Sequence, residues 1–234
     1  MEINWDKIFR NLEKWRGDYS KSLQASSGVR GPAVSEVADN IGAGEYSDNN
    51  PWAVLVSTIL SLRTKDDVTR AASKALLARA PTPQKLLKLG VERTAELAYP
   101  AGFYRTKAAQ LQKIAAILLE KYDGQVPADM DALLELPGVG RKTANLVLTE
   151  AFDMYGICVD IHVHRICNRA GWICTKNPEE TEMTLRKILP KKYWKRINGL
   201  LVFYGQHVCR PVSPFCSACI IKEYCSRKGI DKSR

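Results

Sequence analysis

Along nearly the whole chain the apolar residues recur three and four positions apart and rarely every second position, which confines it to folds built from packed helices. In AAQLQKIAAILLEKY, Leu111, Ile114, Ala115, Leu118 and Tyr122 fall on one face, the stripe of a helix that buries one side. NPEETEMTLRKIL opens with an Asn177 cap, Pro178 at the first helical position and Glu180 three residues past the cap, so another helix begins there. Breaks at NIGAGEYSDNNP, RAPTP, LAYPAGFY, YDGQVP, LPGVG and FDMYGI predict about ten helices joined by short connections. The sequence has no internal repeat at a fixed period. Domain boundaries are expected at residues 42–51, rich in Gly and Asn, and near residues 153–157.

At 234 residues the chain is long enough to bury a real core without covalent staples. Its 35 Lys and Arg against 25 Asp and Glu leave a formal charge of +10, which favours a polyanionic partner, nucleic acid first. The charges are scattered, however, with PKKYWKR and SRKGIDKSR the densest clusters, so the total alone is a weak signal. MEINWDKIFRNLEKWRGDY lacks the apolar core of a secretory signal and reads as an amphipathic helix. The longest uncharged apolar run, PWAVLVSTILSL, is too short to span a bilayer and stops at Arg63. The expectation is an intracellular protein located with the DNA, in cytoplasm, nucleoid or nucleus, with no membrane partner. In a reducing compartment seven cysteines argue for metal ligation or buried thiols over a disulfide framework.

ALLELPGVGRKTANLVLTEAF reads as helix, hairpin, helix, with Gly138 and Gly140 expected to supply backbone conformations that side chains resist. The bare N–H groups and the positive end of the helix dipole then form an anion site suited to a DNA phosphate and blind to base sequence. Lys142 sits in that field beside Arg141. A helical lysine is ordinarily a solvated charge, but a neighbouring cation and a helix N-terminus disfavour the ammonium, and a neutral amine is a nucleophile. Eighteen residues on, in CVDIHVHRICNRAG, Asp160 precedes another helical pattern. Taken alone it reads as a cap; facing an amine, its carboxylate would stabilise an oxocarbenium-like sugar. His162 and His164 are wrongly spaced to share a helix face, which disfavours a metal site there.

CRPVSPFCSACIIKEYC holds Cys209, Cys216, Cys219 and Cys225 in a C-x6-C-x2-C-x5-C pattern, a metal-ligand set. Thiolates suit both tetrahedral zinc and an iron–sulfur cluster, and spacing by itself does not choose. Cys158, Cys167 and Cys174 lie in apolar surroundings and are expected to be buried thiols.

With these motifs in hand, the chain resembles the endonuclease III family of helix-hairpin-helix DNA glycosylases, from about Asn50 to Cys225. LPGVGRKTAN carries the family's lysine at Lys142, VDIHVHRICNR its aspartate at Asp160, and the four cysteines match the spacing that holds a 4Fe-4S cluster. The resemblance implies an all-α, two-lobed fold. Residues 44–154 would form a helical barrel lobe ending in the hairpin, and residues 1–43 with 155–234 a lobe carrying the cluster at 209–225, with DNA between them. It further implies a monomer that binds duplex DNA containing damaged pyrimidines, such as thymine glycol, or abasic sites. Lys142 would form a Schiff base, Asp160 would assist base loss, and β-elimination would nick the strand on the 3′ side.

Gly138, Gly140, Arg141, Arg63, Phe103 and His162 are the residues expected on DNA. The family commonly has glutamine where Arg63 stands; a guanidinium could stack on or hydrogen-bond with the orphaned base. Phe103 matches the family's apolar wedge, although buried core is its plainer reading. Arg210, Lys222 and Arg227 beside the cysteines favour a structural role for the cluster in DNA binding. Mismatch-specific relatives can carry Tyr or Ser at the Lys142 position, and adenine-specific relatives usually add a C-terminal domain, whereas this sequence stops shortly after Cys225. A non-catalytic DNA-binding scaffold is the alternative from another class, and the joint presence of Lys142 and Asp160 argues against it.

Overall fold

Asn50 starts a helix in the manner its sequence invites: its side-chain oxygen accepts from Trp52 N and Ala53 N at 3.0 and 3.3 Å, and Pro51 takes the first helical position. The computed structural model describes residues 3–24 and 50–234, and every regular element among them is a helix. Ten α-helices are present there: α1 (Trp5–Gln24), α2 (Pro51–Ser61), α3 (Asp66–Arg79), α4 (Pro83–Ala98), α5 (Tyr104–Lys121), α6 (Met130–Leu134), α7 (Arg141–Ala151), α8 (Ile161–Ala170), α9 (Pro178–Ile188) and α10 (Trp194–His207). Two short 3-10 turns, Lys191–Tyr193 and Lys222–Tyr224, complete the set. None of the described helices is long and apolar enough to cross a membrane.

The described residues fall into two compact units, a central one of residues 50–154 and a terminal one of residues 3–24 and 155–234. Most of the stretch 42–51, expected as a boundary, lies outside the described residues.

In the central unit α2 is apolar all round and correspondingly buried from Trp52 to Leu60. It packs against α3, α5 and α7. The stripe expected on α5 is buried at Leu111, Ile114, Ala115 and Leu118, while Tyr122 closes the helix half-exposed. Truncating Leu111 or Leu118 to Ala would cost about 2–5 kcal/mol through lost burial and the cavity left behind. α4 bends at Gly90, whose φ of 74° breaks its helical path. Gln112, from α5, bridges the bend by donating to Leu86 O and Thr94 Oγ1.

In the terminal unit α1 buries Trp5, Ile8, Phe9 and Leu12 as one face of the amphipathic helix expected there. Trp5 meets the edge of Trp172 and donates its indole N–H to Ile188 O at 3.0 Å; Phe9 stacks on Tyr193. α10 buries Ile197, Leu200, Leu201 and Tyr204 and packs on α8 and α1. Asn177 caps α9 as its sequence implies, accepting from Glu180 N at 2.8 Å. The Glu180 carboxylate reaches back one residue further than the usual capping box, to Lys176 N at 2.9 Å.

Candidate active site and DNA-contacting loops

The hairpin between α6 and α7 is a tight turn in which Val139 N donates to Leu136 O at 3.0 Å. Gly138 has φ 70°, the left-handed region that favours glycine, and a Cβ there would overlap the Gln110 side-chain amide. Gly140 corrects the sequence expectation: its φ of −97° is ordinary extended backbone, and a Cβ would meet nothing within 4 Å. Its role is that of an N-cap without a side chain. No side chain caps α7, so its first turn offers N–H groups to an anion from outside.

Arg141 and Lys142 are the first two residues of α7, the former half-buried and the latter exposed. Lys142 lies within electrostatic reach of Asp66, in the first turn of α3. The Asp66 carboxyl is pushed above its usual value by desolvation and by Asp67, against the pull of Arg70 and Lys142. An acidic pair opening a helix is so common that nothing in LRTKDD distinguishes Asp66.

Arg63 and Phe103 are brought together, the guanidinium lying over the ring at 5.6 Å. Both are in the left-handed region, with φ 52° and 57°, a conformation that costs roughly 1–3 kcal/mol outside glycine and gathers at functional loops. Phe103 is 62% exposed, so the core reading of this side chain is wrong.

The two loops share a buried joint. Lys107 Nζ donates to Leu60 O at 2.8 Å, Leu62 O at 2.5 Å and Thr64 Oγ1 at 2.9 Å. Thr64 Oγ1 also accepts from Gly102 N at 3.1 Å. Gly102 is obligatory here for a steric reason, because a Cβ would stand 2.5 Å from Arg63 O. Burial lowers the Lys107 pKa to about 8.

In the terminal unit Asp160 caps α8, its Oδ1 accepting from His162 N at 2.8 Å and Val163 N at 2.9 Å. Cap and half-exposed carboxylate are thus the same residue. Arg165 Nη2 donates to His162 Nδ1 at 3.1 Å and to Cys209 O at 2.8 Å. A guanidinium only donates, so His162 Nδ1 accepts and the proton resides on the other ring nitrogen. Room for this ring comes from Gly205, where a Cβ would overlap His162 Nδ1. His164 turns to Thr181 instead, at 2.7 Å.

Three of the four cysteines receive hydrogen bonds at sulfur. Arg169 Nη1 lies 3.4 Å from Cys209 Sγ, Tyr204 Oη 3.2 Å from Cys219 Sγ, and Arg227 N 3.4 Å from Cys225 Sγ. Burial pushes the Cys225 thiol up; the Arg227 N–H works the other way, and Cys219, Cys209 and Cys216 add to the rise. The four therefore share one electrostatic neighbourhood. Among the described residues no three Cys, His, Asp or Glu side chains gather as a single ion would require, with sulfurs about 2.3 Å from one centre. Hydrogen bonds to thiolate sulfur suit a bound metal group of either kind, zinc or iron–sulfur. Cys158 and Cys167 are buried as expected, but Cys174 is exposed, just past the apolar run that suggested burial.

Residues 56–191 match the family model of the HhH-GPD superfamily base excision DNA repair protein. The chain is 47% identical over 180 residues to endonuclease III of Thermotoga maritima, covering 77% of this chain and 84% of that protein. This chain belongs to the endonuclease III family. Endonuclease III homolog 1, chloroplastic, of Arabidopsis thaliana is 41% identical over 231 residues, 95% of this chain and 58% of that protein. Among solved structures, a trapped covalent endonuclease III–DNA intermediate, an estranged-adenine complex, matches with a TM-score of 0.72 and 34% identity, over 83% of this chain and 93% of that one. As a member of that family the chain is a base excision DNA repair glycosylase, and every regular element among its described residues is a helix.

In the central unit the chain joins Arg63 to Phe103 and presents Gly138, Gly140, Arg141 and Lys142 on one hairpin. In its terminal unit Asp160, His162 and the cysteines are linked through α8. Lys107, Gln110, Asp66, Arg165 and Arg169 escaped the sequence reading. Lys107, Gln110, Arg165 and Arg169 each have a partner 27 or more residues away.

Proposed function

We propose that this protein removes oxidised pyrimidines such as thymine glycol from duplex DNA and cleaves the resulting abasic site, with one amine serving both reactions. The observation that carries the reading is Lys142, exposed in the first turn of a helix that no side chain caps. Phosphate oxygens accept from the bare N–H groups and from Arg141, which sets the backbone in place. Lys142 Nζ attacks C1′ of the flipped nucleotide as the base departs with its bonding electrons and takes up a proton. The nitrogen sheds a proton, its lone pair then forms the C=N bond as the C1′–O4′ bond breaks, and O4′ leaves with that electron pair and is protonated, opening the sugar to an imine. Abstraction of a C2′ proton then expels the 3′ phosphate by β-elimination, which nicks the strand.

Asp160 Oδ1 is engaged as a cap, and the carboxylate's negative charge supports the cationic sugar as the base leaves. Arg63 and Phe103 enter the base step opened by flipping, and His162 contacts the DNA. Cys209, Cys216, Cys219 and Cys225 would hold a 4Fe-4S cluster, which when bound cross-links the loop carrying Arg210, Lys222 and Arg227. The trapped covalent complex of the solved relative supports the imine step.

The test is borohydride trapping on a duplex with one thymine glycol, comparing wild type with Lys142→Gln. A covalent adduct with wild type alone is expected. Trapping by Lys142→Gln at the wild-type rate removes Lys142 from the mechanism.

A further inference from the structure

We propose that Lys107 is a positioning residue that locks Arg63 and Phe103 into one paired device, so that both enter the same base step together. The inference rests on the reading of those two side chains as base-step contacts.

Lys107 is 5% exposed and lies in the first turn of α5, where the helix dipole disfavours a cation. All three of its partners are neutral oxygens, so no ion pair offsets its desolvation. For stability alone, an apolar side chain of similar length would serve at that position. What the ammonium supplies is geometry. It takes the carbonyls of Leu60 and Leu62, which the end of α2 leaves without helical partners, and the hydroxyl of Thr64, on either side of Arg63. The same hydroxyl accepts from Gly102 N, the residue before Phe103. One tetrahedral head group therefore fixes both left-handed residues through their neighbours while touching neither. A methionine would fill the space and leave the oxygens of Leu60, Leu62 and Thr64 without this donor.

The experiment compares single-turnover removal of thymine glycol with cleavage of a preformed abasic site, which has no base to unstack. Lys107→Met is expected to slow base removal about tenfold or more and abasic cleavage by less than about threefold. Arg63→Ala and Phe103→Ala should each slow base removal in the wild type, yet cost less than about twofold more in the Lys107→Met background, since the pair is already misaligned. Thr64→Val should show the same split between the two reactions, and Thr64→Ser, which keeps the hydroxyl, should restore base removal. These Thr64 variants carry the test if Lys107→Met does not fold.

Equal slowing of both reactions in folded variants, or full additivity with Arg63→Ala and Phe103→Ala, overturns the proposal alone. If Arg63→Ala and Phe103→Ala are silent in the wild type, the base-step reading falls and the proposal falls with it.

Discussion

Gln110 donates its side-chain N–H to Pro137 O at 2.6 Å, tying the hairpin to α5. The bond occupies the space that a side chain on Gly138 would need. Gly138→Ala should therefore lose about 1–2 kcal/mol from the left-handed backbone alone, plus whatever the displaced amide gives up, and weaken DNA binding. Gly140→Ala, in extended backbone with open space, should leave the unfolding midpoint nearly unchanged. Urea titrations of the two variants side by side check this; equal losses would contradict it.

Asp160 separates two roles by substitution. Asparagine caps helices about as well as aspartate, whereas alanine forfeits about 1 kcal/mol. Asp160→Asn should thus keep wild-type stability and still slow base release in single-turnover assays, while Asp160→Ala should lose both. A fully active Asp160→Asn would reduce Asp160 to a cap.

Lys107 makes stability depend on pH in an unusual direction. Its folded-state pKa near 8 lies below the ordinary lysine value of about 10.4. Between those values the unfolded chain keeps a proton that the folded chain has shed, so this group's contribution to stability rises with pH by up to about 1.4 kcal/mol per unit. Below the window the proton is bound in both states and the dependence vanishes. Wild type should gain on Lys107→Met between about pH 7.5 and about pH 9.5 in chemical unfolding. A difference that stays flat over that range would show that Lys107 keeps its proton.

The cysteines divide into two groups by their surroundings. Serine at any one of Cys209, Cys216, Cys219 or Cys225 should reduce bound iron well below about four atoms per chain. Exposed Cys174→Ser should leave iron and visible absorbance unchanged. Full iron loading of a Cys219→Ser protein would mean that the quartet is not the ligand set.

The parts of the fold legible in the sequence were those set by near neighbours. The Asn177 cap, the Leu111 to Leu118 stripe and the turn around Gly138 each occupy a few consecutive residues, and local sterics decide them. Candidate site residues embedded in compact motifs were legible for the same reason. Lys107 and Gln110 were not, because their meaning lies in oxygens 27 to 47 residues away, and on α5 they look like any polar residues of an amphipathic helix. Gly140 misled for the converse reason: glycine is selected by lack of a side chain as well as by backbone freedom, and the two look alike in sequence. Phe103 was ambiguous until its exposure was known, since apolar character alone says nothing of which side of the surface a ring takes.

The indole of Trp5 and the carbonyl of Ile188 are 183 residues apart in sequence yet share one hydrogen bond. During synthesis α1 emerges well before its partners, and its apolar face waits for Trp172, the Tyr193 turn and α10 to follow it out. The central unit, described over one continuous stretch of residues 50–154, can close in the meantime. The unit holding Asp160 and the cysteines is thus the last to complete, its long loop closure costing more conformational entropy and time than the local contacts of the other. A chain interrupted before α10 would carry the amine and the hairpin on a folded body while the aspartate and the thiols still lacked theirs.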